Sequence, residues 1–205
     1  MSFNTGSSET GTIILLGNNV YSGGTTIRGG TLKFSSNSNF YCGSSQVCNA
    51  DFTTISSGPV GTGAVSISSG TFDLNGNGAS STYGYFYSSI NMTSTNGALN
   101  NLVNTNTSVS AAAYGNIILS KQTYGYSQRF LFKQAAGAAK LTIAGVVSET
   151  SSGSINSGIQ IGDASYTGTV VMSGFNSFVA TGNSSSKTIV YGTLQINGDR
   201  SLGAI

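Results

Sequence analysis

The sequence predicts an all-β chain, a parallel β-helix (β-solenoid) in which short strands coil round one narrow core and loops project from it. Three observations carry this expectation. Bulky apolar residues recur at every second position in short runs: Ile13 with Leu15, Leu32 with Phe34, Val65 with Ile67, and Phe72 with Leu74. Alternation of period two sends such side chains to one face of a strand. Gly, Ser, Thr and Asn close each run after about five residues, so the chain turns before a long strand can form. Helical three–four spacing is absent beyond a single turn; the one run of helix-favouring residues, AAGAAK at 135–140, is short and contains Gly137.

The organising stretch is 11–74, whose two ends read GTIILLGNNVYSGGTTIRGGTLKF (11–34) and GPVGTGAVSISSGTFDL (58–74). Its alternation places Ile13, Leu15, Ile27, Leu32, Phe34, Val65, Ile67, Phe72 and Leu74 in the core. NGNGASS (75–81) follows as a loop, then the aromatic, strand-like TYGYFYSSINM (82–92) and an Asn-rich stretch at 97–110. Three further strands are expected in 115–120, 129–134 and 140–148, and SGIQIGDASYTG (157–168) leads into a second copy of the opening motif.

That copy is visible as self-similarity, the first thing to seek in a repetitive composition. GTVVMSGFNSF (168–178) aligns with GTIILLGNNVY (11–21) at an offset of 157, and TIVYGTLQI (188–196) with TIRGGTLKF (26–34) at an offset of 162. SLGAI (201–205) resembles the start of PVGTGAV (59–65), so 168–205 reads as the start of a second repeat within one segment spanning 1–205. The second copy needs only NGDR between Ile196 and SLG, where the first spends residues 35–58. This stretch, which holds both cysteines, is expected to be an insert projecting from the ladder.

Composition excludes several function classes. With 38% hydrophobic residues, 7% charged and a net charge of +2, the chain lacks the charge-rich, apolar-poor signature of disorder. The eight basic residues are scattered without a cluster, which argues against a nucleic-acid partner. No apolar run approaches a membrane span, and MSFNTGSSET at the start lacks the charged and apolar regions of a signal peptide.

NVYSGGTTIRGGTLKF followed by GTGAVSISSGTFDLNG resembles the autotransporter-associated β-strand repeat, also called the passenger-associated transport repeat, of bacterial surface proteins. GALNNL, GNIILS and KLTIAGVVS resemble the stretches between such repeats, and YTGTVVMSGFNSFVATG resembles the repeat opening again. The resemblance is weakest at 75–96 and absent from the cysteine-containing insert. It implies a right-handed parallel β-helix, secreted to the bacterial surface, acting as a stalk that helps passenger secretion and folding. Ile14 and Leu16 depart from the family, which usually has Thr or Ser facing outward there.

In the secreted setting implied by the resemblance, the close pair Cys42 and Cys48 in CGSSQVC reads as a disulfide, the alternative being two free thiols. Two cysteines are too few for a closed zinc site, and no calcium-binding repeat occurs, so neither metal nor cofactor is expected. Without histidine there can be no Ser-His-Asp or Cys-His nucleophile. Six acidic residues, Glu9, Asp51, Asp73, Glu149, Asp163 and Asp199, are far apart in sequence. A pair of carboxylates is what glycoside hydrolysis requires; Asp73, in TFDL, reads as a solvated, outward strand residue instead. The best binding candidates are aromatic. Tyr83, Tyr85 and Tyr87, with Tyr124 and Tyr126, form a candidate contact surface for sugars or protein, against the alternative that alternation spends them on packing.

The expected function is therefore a non-enzymatic structural segment of an extracellular fibre or adhesin on the bacterial surface. Its expected partners are copies of itself or adjacent repeats of a longer chain, end to end, together with surface glycans, but neither nucleic acid nor a membrane. The alternatives are a carbohydrate-binding or carbohydrate-active β-helix module and a self-assembling fibre subunit. The open strand edges of a solenoid, which natural repeats cap, motivate the end-to-end expectation.

Overall fold

The computed structural model describes residues 2–3, 10–42, 46–48, 54–94, 100–121, 128–150, 157–177 and 188–198, and among these there is no helix. The chain opens with β1 (Ser2–Phe3), β2 (Thr12–Leu15), β3 (Thr25–Ile27) and β4 (Thr31–Phe34). A small hairpin of β5 (Tyr41–Cys42) and β6 (Gln46–Val47) precedes β7 (Val65–Ile67) and β8 (Gly70–Asp73). A second hairpin, β9 (Ala79–Ser80) with β10 (Gly84–Tyr85), leads to β11 (Ile90–Ser94), β12 (Asn100–Asn104) and β13 (Ala111–Ala113). The next two turns of the coil are β14 (Ile117–Lys121), β15 (Gln128–Gln134) and β16 (Lys140–Ile143), then β17 (Val147–Thr150), β18 (Ser157–Ile161) and β19 (Thr169–Met172). β20 (Ile189–Val190) and β21 (Thr193–Ile196) complete the described strands.

Sheet A has the order β1-β3-β7-β11-β14-β17, sheet B the order β2-β4-β8-β12-β15-β18-β20, and sheet C the order β13-β16-β19-β21. Pairing within all three is parallel, each strand lying beside the strand one turn earlier, whereas the two hairpins and the isolated bridges Asn19↔Gly58, Tyr41↔Ser57 and Asp163↔Tyr166 are antiparallel. This is the β-helix that the alternation predicted.

Register stacks like on like. In sheet A, Val65, Ile90, Ile117 and Val147 form one column. In sheet B, Ile13, Leu32, Phe72, Leu102, Phe132 and Ile161 form another. In sheet C, Leu141 and Val170 rise above Ala111. Every residue expected in the core is buried, except that Ile13, on the outermost strand of sheet B, is half-buried. Because strand pairing sets a rung spacing of about 4.8 Å, side chains in a column touch those directly above and below. Burying each is worth about 1.5–3 kcal/mol.

Two expectations need correction. The described residues of 35–58 do not stand clear of the core: Phe40, Cys42, Cys48 and Ile55 are buried in it. Sheet C begins only at β13, so the earlier turns need another third wall. The two hairpins supply it. Phe40 N–H donates to Tyr83 O, Tyr85 N–H to Cys48 O, and then Ala112 and Tyr114 of the β13 region to Asn77 O and Phe86 O. Phe40 and Phe86 close onto Phe34 and Phe72, with ring centroids 5.0–5.8 Å apart in edge-on and tilted arrangements. Such pairs add about 0.5–1.5 kcal/mol each beyond area burial. The disulfide Cys42–Cys48 is formed, and it closes this hairpin inside the core.

The second correction concerns the Asn-rich stretch, to which sequence assigned no strand. Its residues 100–104 form β12, buried throughout. Asn resists strands because its side chain competes for backbone partners. Here that tendency is put to use: Asn100 Nδ2 donates to Thr93 O, and Asn104 Nδ2 to Val109 O and to Gln134 Oε1 on the next turn.

The internal repeat reappears as a strand pair. β2 lies on β4 as Thr12↔Thr31, Ile13↔Leu32, Ile14↔Lys33 and Leu15↔Phe34. β19 lies on β21 as Thr169↔Thr193, Val170↔Leu194, Val171↔Gln195 and Met172↔Ile196. The aligned residues thus pair identically, but the first pair belongs to sheet B and the second to sheet C.

At the corner between sheets C and A the turns approach so closely that glycines stack: a Cβ on Gly145 would strike the Gly115 carbonyl oxygen, and one on Gly174 the Gly145 carbonyl oxygen. Gly145→Ala should therefore lower stability by about 1–3 kcal/mol, the usual cost of overpacking. Gly11→Ala, where an added Cβ meets nothing within 4 Å, should change it little; thermal melts of the two variants make the comparison. The buried sulfurs give a second expectation. The native disulfide should resist mild reductant until the chain unfolds, and Cys42→Ala/Cys48→Ala should cost about 2–3 kcal/mol for so short a loop, measured by denaturant titration.

Candidate functional site

Two clusters of polar and aromatic side chains stand out from the ladder. The first is tyrosine-lined. Around β10 the chain alternates, burying Phe86 completely and leaving Tyr85 and Tyr87 half-buried against the core edge. One turn later the Tyr114 N–H donates to Phe86 O at 2.8 Å. That bond sets the Tyr114 ring against both earlier tyrosines, 5.0 Å from Tyr85 and near perpendicular to it, and 5.3 Å from Tyr87. Tyr85 and Tyr87 are 6.4 Å apart. Burial first, then the neighbouring Tyr85 and Tyr87 hydroxyls, push the Tyr114 phenol above its ordinary value. Tyr83 lies in the β9–β10 turn, where its carbonyl holds Phe40. Tyr124 and Tyr126 lie outside the described residues.

Sequence reasoning missed Tyr114. The signal was present but weak: Tyr114 precedes Gly115 and follows an apolar strand, and its relation to Tyr85 and Tyr87 exists only once the turn length is known. The perpendicular Tyr85–Tyr114 contact also limits what the cluster can do. Edge-to-face packing commits part of each ring to its neighbours, leaving a ridge of tyrosines at the corner of the solenoid rather than a flat platform.

The second cluster lies on the outer side of sheet B. Lys33 and Asp73 are register partners on β4 and β8, and Lys33 Nζ is 3.2 Å from Asp73 Oδ2. Asp73 is only 1% exposed, which corrects the expectation of a solvated strand residue. Outward alternation did not mean solvent, because the turn after β12 folds over the carboxylate. Thr105 donates to it from its backbone N–H (3.1 Å) and from its hydroxyl (2.6 Å), and Asn75 donates from its N–H (2.9 Å). A buried carboxylate would be costly unpaired; here charge-assisted bonds offset that cost.

Two turns on, Lys133 occupies the same row. Its Nζ is 2.7 Å from Asp163 Oδ2 and 5.4 Å from the centre of the Tyr166 ring. Burial alone would raise the Asp163 pKa, but the bond from Lys133, backbone N–H groups of Ser165 and Tyr166, and the lysine charge overcome it and hold the carboxyl below its usual range. Tyr166 is pushed up, by burial first and then by the carboxylates of Asp73 and Asp163. The two acidic residues thus share one electrostatic neighbourhood, although 90 residues separate them.

A depressed native pKa favours the fold above the unfolded carboxyl pKa of about 3.9, and that contribution is lost as pH falls through the native value. Asp163→Asn should therefore be less stable than the parent near neutral pH, and the gap should narrow on acidification through that window. Denaturant melts at stepped pH check this.

Neither a curated protein nor a solved structure matches the chain. A family match covers the span that builds β2, β3 and β4, the first in-register pair of sheet B and the strand between its members: residues 8–34 match the passenger-associated-transport-repeat, and the chain carries that repeat, as its motifs had suggested.

Proposed function

We propose that the chain is a non-enzymatic structural segment of a secreted, surface-exposed bacterial passenger, a stalk whose repeat supports transport and folding of the protein that bears it. The observation that carries this reading is the seven-stranded parallel sheet B, whose first strand pair falls within the residues that match the transport repeat. Each turn offers the next a ready edge, so an extended chain can fold progressively, and the packing of each new turn opposes backsliding. The state of the carboxylates supports a structural role. Asp73 and Asp163 spend their oxygens on Lys33, Thr105, Asn75, Lys133, Ser165 and Tyr166, as members of a rivet rather than as a free acid and base.

A second reading, a glycan-binding face, is favoured by the ridge of Tyr85, Tyr87 and Tyr114, since tyrosine presents an apolar body with a polar tip. It is compatible with a stalk and would make the segment adhesive.

The test is delivery. Antibody against the chain should label intact producing cells, and Leu32→Asp, which places a lone carboxylate in the core of the repeat at a cost of several kcal/mol, should reduce surface label while the transcript is unchanged. Label confined to broken cells would overturn the proposal, as would release of reducing ends from polysaccharides by the purified chain.

A further inference from the structure

The wall that closes the early turns is held by short ladders. β5 and β6 are two residues each, paired at Tyr41↔Val47 and Cys42↔Gln46. β9 and β10 are again two residues each, paired at Gly84↔Ser80 and Tyr85↔Ala79. A two-stranded hairpin is marginal by itself in water. The parallel strands beside this wall are short as well: β3 and β7 have three residues and β8 four, whereas β11, β12 and β14 have five and β15 seven. Ladder length makes the early wall the part of the coil that opens locally most readily.

The disulfide sits at the root of that wall. Cys48 ties the two hairpins together, its N–H donating to Phe40 O and its carbonyl accepting from Tyr85 N–H. The second hairpin passes the support on, since Phe86 O accepts from Tyr114 N–H at the start of sheet C. The first hairpin also carries Phe40 into the core, with its ring 5.4 Å from both Phe34 and Phe86. Opening it withdraws Phe40 and unhooks β10. Cys42 and Cys48 are 2% and 0% exposed. A thiolate must reach a disulfide sulfur to break it, so the closed wall shields its own bond.

We propose that Cys42 and Cys48 form an oxidation-driven latch on the early turns. As thiols they leave the wall free to open; as a disulfide they close it, and the closed wall then excludes reductant. The closing step joins Cys42 Sγ to Cys48 Sγ by exchange with an external disulfide. The two cysteines give up two protons and two electrons, and the oxidant leaves as two thiols. Without the bond the closed wall is disfavoured by roughly 30- to 150-fold, the loop-closure effect for so short a span. The inference rests on the secreted reading for its setting. A chain leaving a reducing compartment carries thiols and meets oxidant outside it, so its first turns are secured after export rather than before.

The test compares the oxidised chain with the same chain refolded from denaturant in excess reductant, by hydrogen exchange followed residue by residue by NMR. The amides of Phe40, Cys48 and Tyr85 should exchange roughly 30- to 150-fold faster in the reduced chain, while those of β15 and β16 keep their rates. Without denaturant, both thiols of the reduced chain should alkylate. The oxidised chain, given a pulse of reductant and then the same alkylating agent, should stay unlabelled. Cys42→Ala/Cys48→Ala should reproduce the exchange pattern of the reduced chain. Equal protection of Phe40, Cys48 and Tyr85 in both redox states would overturn the proposal. So would loss of protection in β15 and β16, which would make the bond a condition of the whole fold, or a native disulfide that the pulse reduces. None of these results bears on surface labelling, so the secreted reading stands or falls separately.

Discussion

The structure depends on in-register parallel pairing between successive turns. In sheets A, B and C no turn satisfies its own strand backbone; the N–H and C=O groups find their partners in the turn above or below. The pairing also sets the side-chain problem. With rungs about 4.8 Å apart, the core is a set of columns, and each residue must suit the one above it. Sheet A meets this with β-branched aliphatics alone, Val65, Ile90, Ile117 and Val147. Sheet B alternates Leu32, Phe72, Leu102 and Phe132, a large ring over a smaller chain. Where columns meet the irregular third wall, four phenylalanines fill the wider space.

The corners obey the same constraint in polar form. A turn of chain at a corner leaves carbonyls that no strand partner can reach. Asn77 answers three of them from a buried position, donating to Ser35 O, Leu74 O and Asn75 O, while its Oδ1 accepts from Ser38 N–H. Asn104 and Gln134 bond one above the other at the end of β12 and β15. On the outer row the same economy of space buries Asp73 beneath Thr105. These bonds are worth about 1 kcal/mol each, but leaving such a buried group unpaired would cost about 1–3 kcal/mol. They therefore specify which corner a segment can occupy more than they add stability.

The core of the regular turns was legible in the sequence because its signal is local. Alternation at Leu32–Phe34, Val65–Ile67 and Phe72–Leu74 identifies inward residues without knowing what lies above them. Three features were hidden because their signal is not local. Phe40 and the cysteines sit between polar loop residues, and only the absence of a third sheet in the early turns calls them inward. β12 is written in asparagine, whose preference for loops is overridden by partners about thirty residues away. Asp73 alternates outward correctly, yet the cover over it comes from Thr105. Of the candidate contact surface, Tyr85 and Tyr87 were readable as a pair, whereas their third member, Tyr114, arrives by the length of one turn.

The displacement of the repeat from sheet B to sheet C has an evolutionary meaning. Between β2 and β19 the coil completes five turns and advances by one further face. A duplicated gene segment thus need not span a whole number of turns to be accommodated. The strand pair carries its own register and its own glycine-marked bend, and it fits whichever wall the winding presents. Solenoids assembled from such units can lengthen by thirds of a turn, so insertions and deletions that would put a strictly phased repeat out of frame leave this one foldable. Loops carried by the units would then be distributed around the circumference as the coil grows, displaying them in several directions rather than along a single line.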